Sequence, residues 1–133
     1  KDSFTITGTE HPTRDGTGIR DYVHVWDLAR AHVSAVEKFD KVVATEGASS
    51  AIVNVGTGAG VTVRELIAAF EKVYGAKVPV TEAPPRPGDA VGAYAGVGKA
   101  RDVLGWTSSL TLEEAIESAL KWGDRRKDVL GYE

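Results

Sequence analysis

Three segments of the chain repeat apolar residues with the period of an amphipathic helix. Residues 27–39, 62–74 and 111–125 each place apolar side chains three or four positions apart, which aligns them on one helix face. The predicted buried faces comprise Leu28, Ala31, Ala35 and Phe39 in the first helix, Leu66, Ile67, Phe70, Val73 and Tyr74 in the second, and Leu112, Ala115, Ile116, Ala119 and Leu120 in the third. A shorter helix is predicted over residues 99–104.

Polar residues at the ends of two of these segments support the helix boundaries. Thr62 with Glu65, and Thr111 with Glu114, have the spacing of a capping box, in which each side chain binds the other residue's backbone N–H. Gly75 can end the helix over residues 62–74, because glycine adopts the left-handed conformation that often terminates helices.

Four short runs rich in β-branched and aromatic residues predict strands at residues 4–7, 22–25, 51–55 and 78–81. Strands and helices alternate, which is typical of an α/β fold. We therefore predict one α/β domain over residues 1–133, with a small mixed sheet and flanking helices. The irregular segments 8–18 and 82–98 are long for a compact domain, and such loops are often functional.

Composition and charge exclude several classes of protein. Hydrophobic residues make up 42% of the 133 residues and charged residues 26%, as in ordinary globular domains. Sixteen Lys and Arg against nineteen Asp and Glu give a net charge of −3, and the basic residues are scattered. This pattern disfavours a nucleic-acid partner, which would require a basic surface.

The sequence contains no cysteine, which excludes disulfides, thiolate metal sites and cysteine nucleophiles. Its apolar runs are far shorter than the roughly 20 residues of a membrane helix, and no secretory signal opens the chain. We therefore expect a cytoplasmic protein with no membrane partner. Because the chain starts at Lys1 and contains no methionine, we also expect it to be a processed or excised piece.

A glycine-rich stretch, Asn54-Val-Gly56-Thr-Gly58-Ala-Gly60-Val-Thr62, lies between a predicted strand and a predicted helix. In this position glycines can let a phosphate approach a helix N-terminus. The spacing departs from the dinucleotide pattern G-x-G-x-x-G, and no Gly-Lys-Ser/Thr follows. The stretch therefore favours a structural turn, with anion binding as the alternative.

Two arginines occupy restrained positions that suit phosphate binding. Arg20 lies where the loop over residues 8–18 meets a predicted strand, and a guanidinium fixed there can bind phosphate with two hydrogen bonds. An Arg–Asp ion pair that fastens the loop is equally compatible. Arg86 is flanked by prolines, and Asp89 can accept hydrogen bonds from sugar hydroxyls; a proline-rich connector with solvated charges is the alternative.

The chain lacks the common catalytic patterns. His11, His24 and His32 have no metal-binding spacing and are predicted to be structural. Neither a Gly-x-Ser-x-Gly elbow nor a Tyr-x-x-x-Lys pair occurs. The sequence therefore assigns no catalytic residue and no metal ligand.

Three blocks together resemble the C-terminal part of the UDP-glucose (UDP-galactose) 4-epimerases, which are extended short-chain dehydrogenases/reductases. Residues 12–29 read PTRDGTGIRDYVHVWDLA, and residues 54–63 read NVGTGAGVTV. The third block is Arg86-Pro-Gly-Asp89, followed by Lys99-Ala-Arg101 and Leu104-Gly-Trp106. The match follows the family's order over nearly the whole chain.

The resemblance implies a division of labour between two parts of an enzyme. In this family an N-terminal Rossmann half binds NAD and supplies the catalytic Tyr-x-x-x-Lys, and the C-terminal part binds the UDP of the sugar nucleotide. The residues implied for UDP binding are Arg20 and Arg86 at the diphosphate, Asp89 at the ribose hydroxyls, Tyr22 beside the nucleotide, and Thr5 and Thr7, whose strand faces uracil.

The resemblance further implies that the parent enzyme interconverts UDP-glucose and UDP-galactose in galactose metabolism, through transient NAD-dependent oxidation at C4. NAD would be bound by the N-terminal half, which would also form the parent's homodimer. The present chain alone would then lack its Rossmann half, bind no cofactor, be monomeric and be inactive. An apolar surface that normally contacts that half would be exposed.

Two positions depart from the family, and two other functions stay open. The family has an aromatic residue where this chain has Thr7, and a tyrosine where it has Ala93, with Tyr94 one step later. The same region of another nucleotide-sugar enzyme, such as a decarboxylase or dehydratase, is one alternative. A stand-alone nucleotide-binding module is the other.

Overall fold

Helices and short strands alternate along the chain, as the sequence predicts. The computed structural model describes residues 3–132. The strands are β1 (Phe4–Thr7), β2 (Ile19–Arg20), β3 (Val61–Thr62) and β4 (Val80–Ala83); the helices are α1 (Val25–Glu37), α2 (Phe39–Glu46), α3 (Val63–Tyr74), α4 (Gly98–Leu104) and α5 (Leu112–Leu130). Parallel pairing joins β1 to β4, and antiparallel pairing joins β2 to β3. The predicted α/β class with a small mixed sheet is confirmed, although the strands form two separate pairs.

Both capping boxes are present. The Glu65 N–H donates to Thr62 Oγ1 at 3.2 Å, and the Thr62 N–H donates to Glu65 Oε2 at 2.8 Å. Thr111 and Glu114 make the same reciprocal pair at the start of α5. Gly75 ends α3 with φ 78°, as predicted. Helix α5 continues five residues beyond the predicted end and stops at Leu130.

The predicted strand at residues 22–25 is wrong, because His24 caps α1. Its Nδ1 accepts a hydrogen bond from the Trp26 N–H at 2.9 Å, which satisfies one of the free donors at the helix start. Since Nδ1 accepts, Nε2 carries the proton in the neutral ring and donates to Ser118 Oγ at 3.0 Å. His24 therefore connects α1 to α5 and is structural, as predicted.

Helix α2 was not expected from the sequence. The first helix ends at Glu37, and Lys38 interrupts it before α2 begins at Phe39. The Lys38 Nζ donates to the Leu104 carbonyl at the end of α4, at 2.5 Å. Phe39 belongs to α2 and is exposed, so its predicted place on the buried face of the first helix is wrong.

Residues 51–55 are extended but unpaired, which corrects the predicted third strand. Ala51, Val53 and Val55 pack against the core, whereas Ile52 is 84% exposed. Within residues 3–132 this segment makes no backbone–backbone hydrogen bond, because no other strand lies beside it. It therefore has the alternating pattern of a strand but no sheet.

The other strand predictions need smaller corrections. Strand β1 has the predicted bounds, and β4 starts two residues later than predicted because pairing begins opposite Phe4, at Val80. The Phe4 N–H donates to the Pro79 carbonyl at 2.8 Å, just before the paired register. Strands β2 and β3 have two residues each, which is too short for a sequence pattern to reveal.

A buried carboxylate lies beside the main apolar core. That core consists of Ala31, Val42, Ala100, Leu104 and Trp106. Asp27 is fully buried and accepts hydrogen bonds from the backbone N–H groups of Ser109 and Leu110, both at 2.8 Å. Burial acts to raise the pKa of Asp27, but hydrogen bonds from Leu110 and Ser109 outweigh it and hold the pKa below its ordinary value. Asp27 thereby joins the start of α1 to the loop before α5.

Within residues 3–132, no helix combines the length and apolarity needed to cross a bilayer.

Replacing Asp27 with alanine is expected to lower the free energy of unfolding by about 2–5 kcal/mol, because two part-buried N–H donors lose the buried carboxylate that accepts from them. Urea denaturation followed by circular dichroism measures the change. Asp40→Ala, at an exposed position in the first turn of α2, is the matched control. A loss below about 1 kcal/mol for Asp27→Ala would contradict the assignment.

Candidate functional site

The carboxyl ends of β1 and β4 bring two distant loops together. The strands run parallel with Thr7 opposite Ala83, and the Gly8 N–H donates to the Ala83 carbonyl at 2.9 Å. Arg86 follows only three residues after β4 ends. In parallel sheets, ligands commonly bind at this end of the strands.

A tight turn then presents Arg86 and Asp89 on the same side. The Asp89 N–H donates to the Arg86 carbonyl at 3.1 Å, and Gly88 has φ 78°. Proline at the second position and a positive-φ glycine at the third are the requirements of a type II turn. The Arg-Pro-Gly-Asp sequence therefore determines this local geometry.

Strand β2 positions Arg20 beside the turn that holds Arg86 and Asp89. Ile19 pairs with Thr62 of β3 on one side, and on the other its N–H donates to the Val91 carbonyl at 3.0 Å. A Cβ on Gly92 would lie 2.6 Å from the Ile19 Cβ, so only glycine allows this approach. The next residue, Arg20, consequently lies beside Asp89.

One carboxylate bridges the two predicted arginines. Arg20 Nη2 lies 3.1 Å from Asp89 Oδ1, whereas Arg86 Nε and Nη2 lie 3.3 and 3.2 Å from Asp89 Oδ2. The side chains of Arg20, Arg86 and Asp89 are 40%, 70% and 20% exposed. We call these three residues the arginine cluster; its formal charge is +1. The Arg–Asp pair considered for Arg20 therefore forms, with Asp89 as its partner.

The two arginines are held differently. Arg20 Nη1 also donates to the carbonyls of Ile19 and Ala90, at 2.7 and 3.1 Å. Among residues 3–132, Arg86 has no hydrogen-bond or ion-pair partner for its side chain other than Asp89. Arg20 is thus fixed by backbone, and Arg86 only by a carboxylate.

Tyr22 lies half-buried near this cluster. Burial raises the pKa of its phenol, and the nearby Arg20 cation only partly offsets that effect. Tyr22 is therefore protonated at neutral pH and can donate a hydrogen bond through its hydroxyl.

The edge of β1 that faces away from β4 pairs with no strand among the described residues. The N–H groups of Phe4 and Gly8 point towards β4, so by strand alternation the backbone N–H and carbonyl groups of Thr5 and Thr7 point away from it. The Thr5 hydroxyl faces Thr81 Oγ1 at 2.9 Å, which leaves its backbone groups as the available ones.

The Asp21 carboxylate binds the backbone N–H groups of the glycine-rich turn. Asp21 accepts hydrogen bonds from the N–H groups of Thr57, Gly58 and Ala95, at 2.9, 3.1 and 3.0 Å. Burial opposes ionisation of Asp21, yet these bonds and that of the Thr57 hydroxyl hold its pKa below the ordinary value. A Cβ on Gly56 would lie 2.4 Å from Asp21 Oδ2. The structural interpretation of this stretch is therefore favoured over anion binding.

A second aspartate organises the loop over residues 8–18. Asp15 accepts from the Thr17 N–H and hydroxyl at 2.9 and 2.7 Å, and from the Thr62 hydroxyl at 2.5 Å. Burial acts against ionisation, but these hydrogen bonds lower the pKa of Asp15. Sequence reasoning missed both Asp15 and Asp21 as anchors. For Asp15 the available signal was its position in Thr-Arg-Asp-Gly-Thr, where nearby N–H groups need an acceptor, whereas the partners of Asp21 lie 36 or more residues away and left no local signal.

The histidines differ in their contacts. His32 Nδ1 lies 2.8 Å from the Leu28 carbonyl, so it is structural like His24. His11 lines an open cleft between the segments 8–11 and 82–85. In the part of the chain that is described, no group of three or more His, Asp or Glu side chains could hold a metal ion.

Comparisons with known proteins identify the family. The sequence profile of the family described as GDP-mannose 4,6 dehydratase matches residues 1–119. The chain belongs to that family. A UDP-glucose 4-epimerase of Cyamopsis tetragonoloba is 44% identical over 119 residues, which are 90% of this chain and 33% of that protein. This likeness confirms the resemblance to the epimerases.

Solved structures of UDP-glucose 4-epimerases also match this chain. The UDP-glucose 4-epimerase of Stenotrophomonas maltophila, crystallised with NAD and formylated UDP-arabinopyranose, superposes with a TM-score of 0.84 at 36% identity; the match covers 96% of this chain and 36% of that one. The Bifidobacterium longum enzyme, crystallised with NAD+ and UDP, gives 0.81 at 35% identity, over 99% and 37% of the two chains. The chain thus spans about a third of these relatives and matches their C-terminal part.

An acid-sensitive contact fastens the loop that precedes Arg20. Hydrogen bonds from the Arg14 guanidinium and the Thr62 N–H lower the pKa of Glu65 from 4.5 to about 2. Because the folded-state value is depressed, the stabilisation is complete above about pH 4.5 and is lost as the pH falls towards 2. Between these values, the thermal midpoint of the wild-type chain is expected to fall more steeply than that of Glu65→Gln.

Thermal melts followed by circular dichroism at half-unit pH steps measure this difference. Glu10→Gln, at an exposed position, controls for the loss of one carboxylate. Equal slopes for the wild-type chain and Glu65→Gln would show that this contact has no influence on acid stability.

Proposed function

We propose that the chain is the UDP-sugar-binding part of a UDP-glucose 4-epimerase. The observation that carries this proposal is the arginine cluster at the carboxyl ends of β1 and β4. Two half-exposed or exposed guanidiniums with one carboxylate between them provide charge-assisted donors for a diphosphate. Arg20 and Arg86 bind the two phosphates, and Asp89 accepts from the ribose hydroxyls.

The open edge of β1 suits a uracil base. Uracil offers an N–H donor flanked by carbonyl acceptors, and the outward N–H and carbonyl groups of Thr5 and Thr7 complement that pattern. Thr7 is the last residue of the strand, so the base and the diphosphate fit at neighbouring positions. Tyr22 lines the nucleotide on the Arg20 side.

The catalytic chemistry belongs to another part of the enzyme. When bound, NAD supplies the hydride acceptor and donor for reversible oxidation of the sugar. The residues present here do not fit that cofactor, because the N–H groups of the glycine-rich turn already bind Asp21. An N-terminal Rossmann half supplies the NAD site and the catalytic residues, and this chain holds the substrate by its UDP group.

Exposed apolar groups support a docking surface for that half. Trp26, Ala29, Val33 and Val36 follow the i, i+3, i+7, i+10 spacing on α1, and all four are exposed. Residues 51–55 offer unpaired backbone groups, and Ile52 projects into solvent. Since unpaired strands favour pairing with another chain segment, residues 51–55 join a sheet of the Rossmann half, which also covers the apolar face of α1. Galactose metabolism stays a prediction of the resemblance, and a cytoplasmic location stays a prediction from the short apolar runs of the sequence.

Truncating Arg86 is expected to weaken UDP binding by about 1.5–3 kcal/mol, because charge-assisted hydrogen bonds to phosphate are lost. Isothermal titration calorimetry of the Arg86→Ala variant with UDP measures the change. Arg125→Ala, an exposed arginine on α5, is the control. An unchanged Kd for Arg86→Ala would reject its assignment, and preference for GDP over UDP would favour another nucleotide-sugar enzyme.

A chimera tests the assigned activity directly. The Bacillus subtilis UDP-glucose 4-epimerase matches this chain at 43% identity over 131 residues, which are 98% of this chain and 37% of that enzyme. We expect that the B. subtilis enzyme, with its matched part replaced by this chain, interconverts UDP-glucose and UDP-galactose. The present chain alone is expected to give no turnover. A folded, NAD-loaded chimera that binds UDP but shows no epimerisation would contradict the proposal.

A further inference from the structure

Two arginines side by side repel each other unless an anion lies between them. Here the chain supplies that anion, because both guanidiniums of the arginine cluster bind opposite oxygens of the Asp89 carboxylate. A carboxylate with two bridging oxygens resembles part of a phosphate group in charge and geometry. Asp89 therefore binds both guanidiniums in the way that a phosphate ligand would.

We propose that Asp89 is an internal competitor for the diphosphate, and that it releases both arginines when a nucleotide enters. This inference rests on the proposed function, since it concerns the same site. A ligand must displace Asp89 before it can bind both guanidiniums. Each inorganic anion therefore binds more weakly than the two arginines alone would allow.

After Asp89 leaves, Arg20 and Arg86 keep different numbers of hydrogen-bond partners. Arg20 keeps its bonds to the Ile19 and Ala90 carbonyls, so it stays oriented after Asp89 leaves. Arg86 is 70% exposed, and Asp89 is its side-chain partner within residues 3–132. Arg86 is thus the mobile member, and it turns from Asp89 to the phosphate.

The competition favours nucleotides over free phosphates. A nucleoside diphosphate offers ribose hydroxyls that can donate to the displaced Asp89 carboxylate and so compensate for the lost ion pairs. Inorganic pyrophosphate has no such donors, and it leaves the carboxylate without a partner beside its own negative charge. Asp89 therefore selects for the nucleoside part of the ligand as well as shielding the arginines.

Calorimetric titration of inorganic pyrophosphate and of UDP into the Asp89→Asn variant tests this inference. Removing the charge is expected to tighten pyrophosphate binding about two- to thirtyfold, the range for two partly exposed ion pairs. The affinity for UDP is expected to rise by a smaller factor or to fall, so the preference for UDP over pyrophosphate decreases. Asp102→Asn is the control, because Asp102 also pairs with an exposed arginine, Arg101, outside the cluster.

A double-mutant cycle adds an independent measurement. In an Arg86→Ala background, Asp89→Asn is expected to give a smaller gain in pyrophosphate affinity, because one of the two released guanidiniums is missing. Circular dichroism melts check that each variant folds, and Asp89→Ala serves as a second variant that also removes the carboxylate.

The outcomes separate the two proposals. Pyrophosphate binding that is unchanged or weaker in Asp89→Asn and Asp89→Ala, with UDP still binding the wild-type chain, overturns the competitor and leaves the proposed function standing. A gain equal to that of Asp102→Asn also overturns it, because general charge would then explain the effect. Absence of UDP binding to the folded wild-type chain overturns both.

Discussion

Hydrogen bonds from loop backbone N–H groups to aspartate side chains hold the described structure together. Its strands have two to four residues, so sheet pairing satisfies few of the backbone donors. Asp21 and Asp27 accept hydrogen bonds from loops far away in the sequence, and Asp15 accepts within its own loop and from the distant Thr62 hydroxyl. In each case burial opposes the charge, and several directed hydrogen bonds outweigh that cost and keep the carboxylate ionised.

This arrangement also positions the candidate site. Asp21 is fixed by the glycine-rich turn and by Ala95, and it lies between Arg20 and Tyr22 in the sequence. The backbone on which both of these side chains stand is consequently rigid. A rigid support reduces the entropy lost when a flexible arginine is immobilised on a ligand.

Two segments of the described structure face the core on one side and solvent on the other. Residues 51–55 and the exposed face of α1 lie on elements that also contribute to the core through Val53 and Ala31. A segment that is half-buried on one side and open on the other is suited to serve two domains at once. The fold thus accommodates both the arginine cluster and the proposed docking surface with few regular strands.

Local sequence determined helices α1, α3, α4 and α5, the two capping boxes, strand β1 and the type II turn at Arg86, because each depends on residues close together in the chain, whereas helix α2 was not foreseen. Sequence also singled out Arg20, Arg86 and Asp89 as candidates, since restrained charged residues in loops are recognisable from their neighbours. Only the tertiary structure decided that one carboxylate bridges both arginines. That contact depends on Ile19 pairing beside Gly92, more than 70 residues away in the sequence. For the same reason the unpaired state of residues 51–55 could not be predicted: an alternating pattern indicates an extended chain, but its pairing depends on which strand lies beside it.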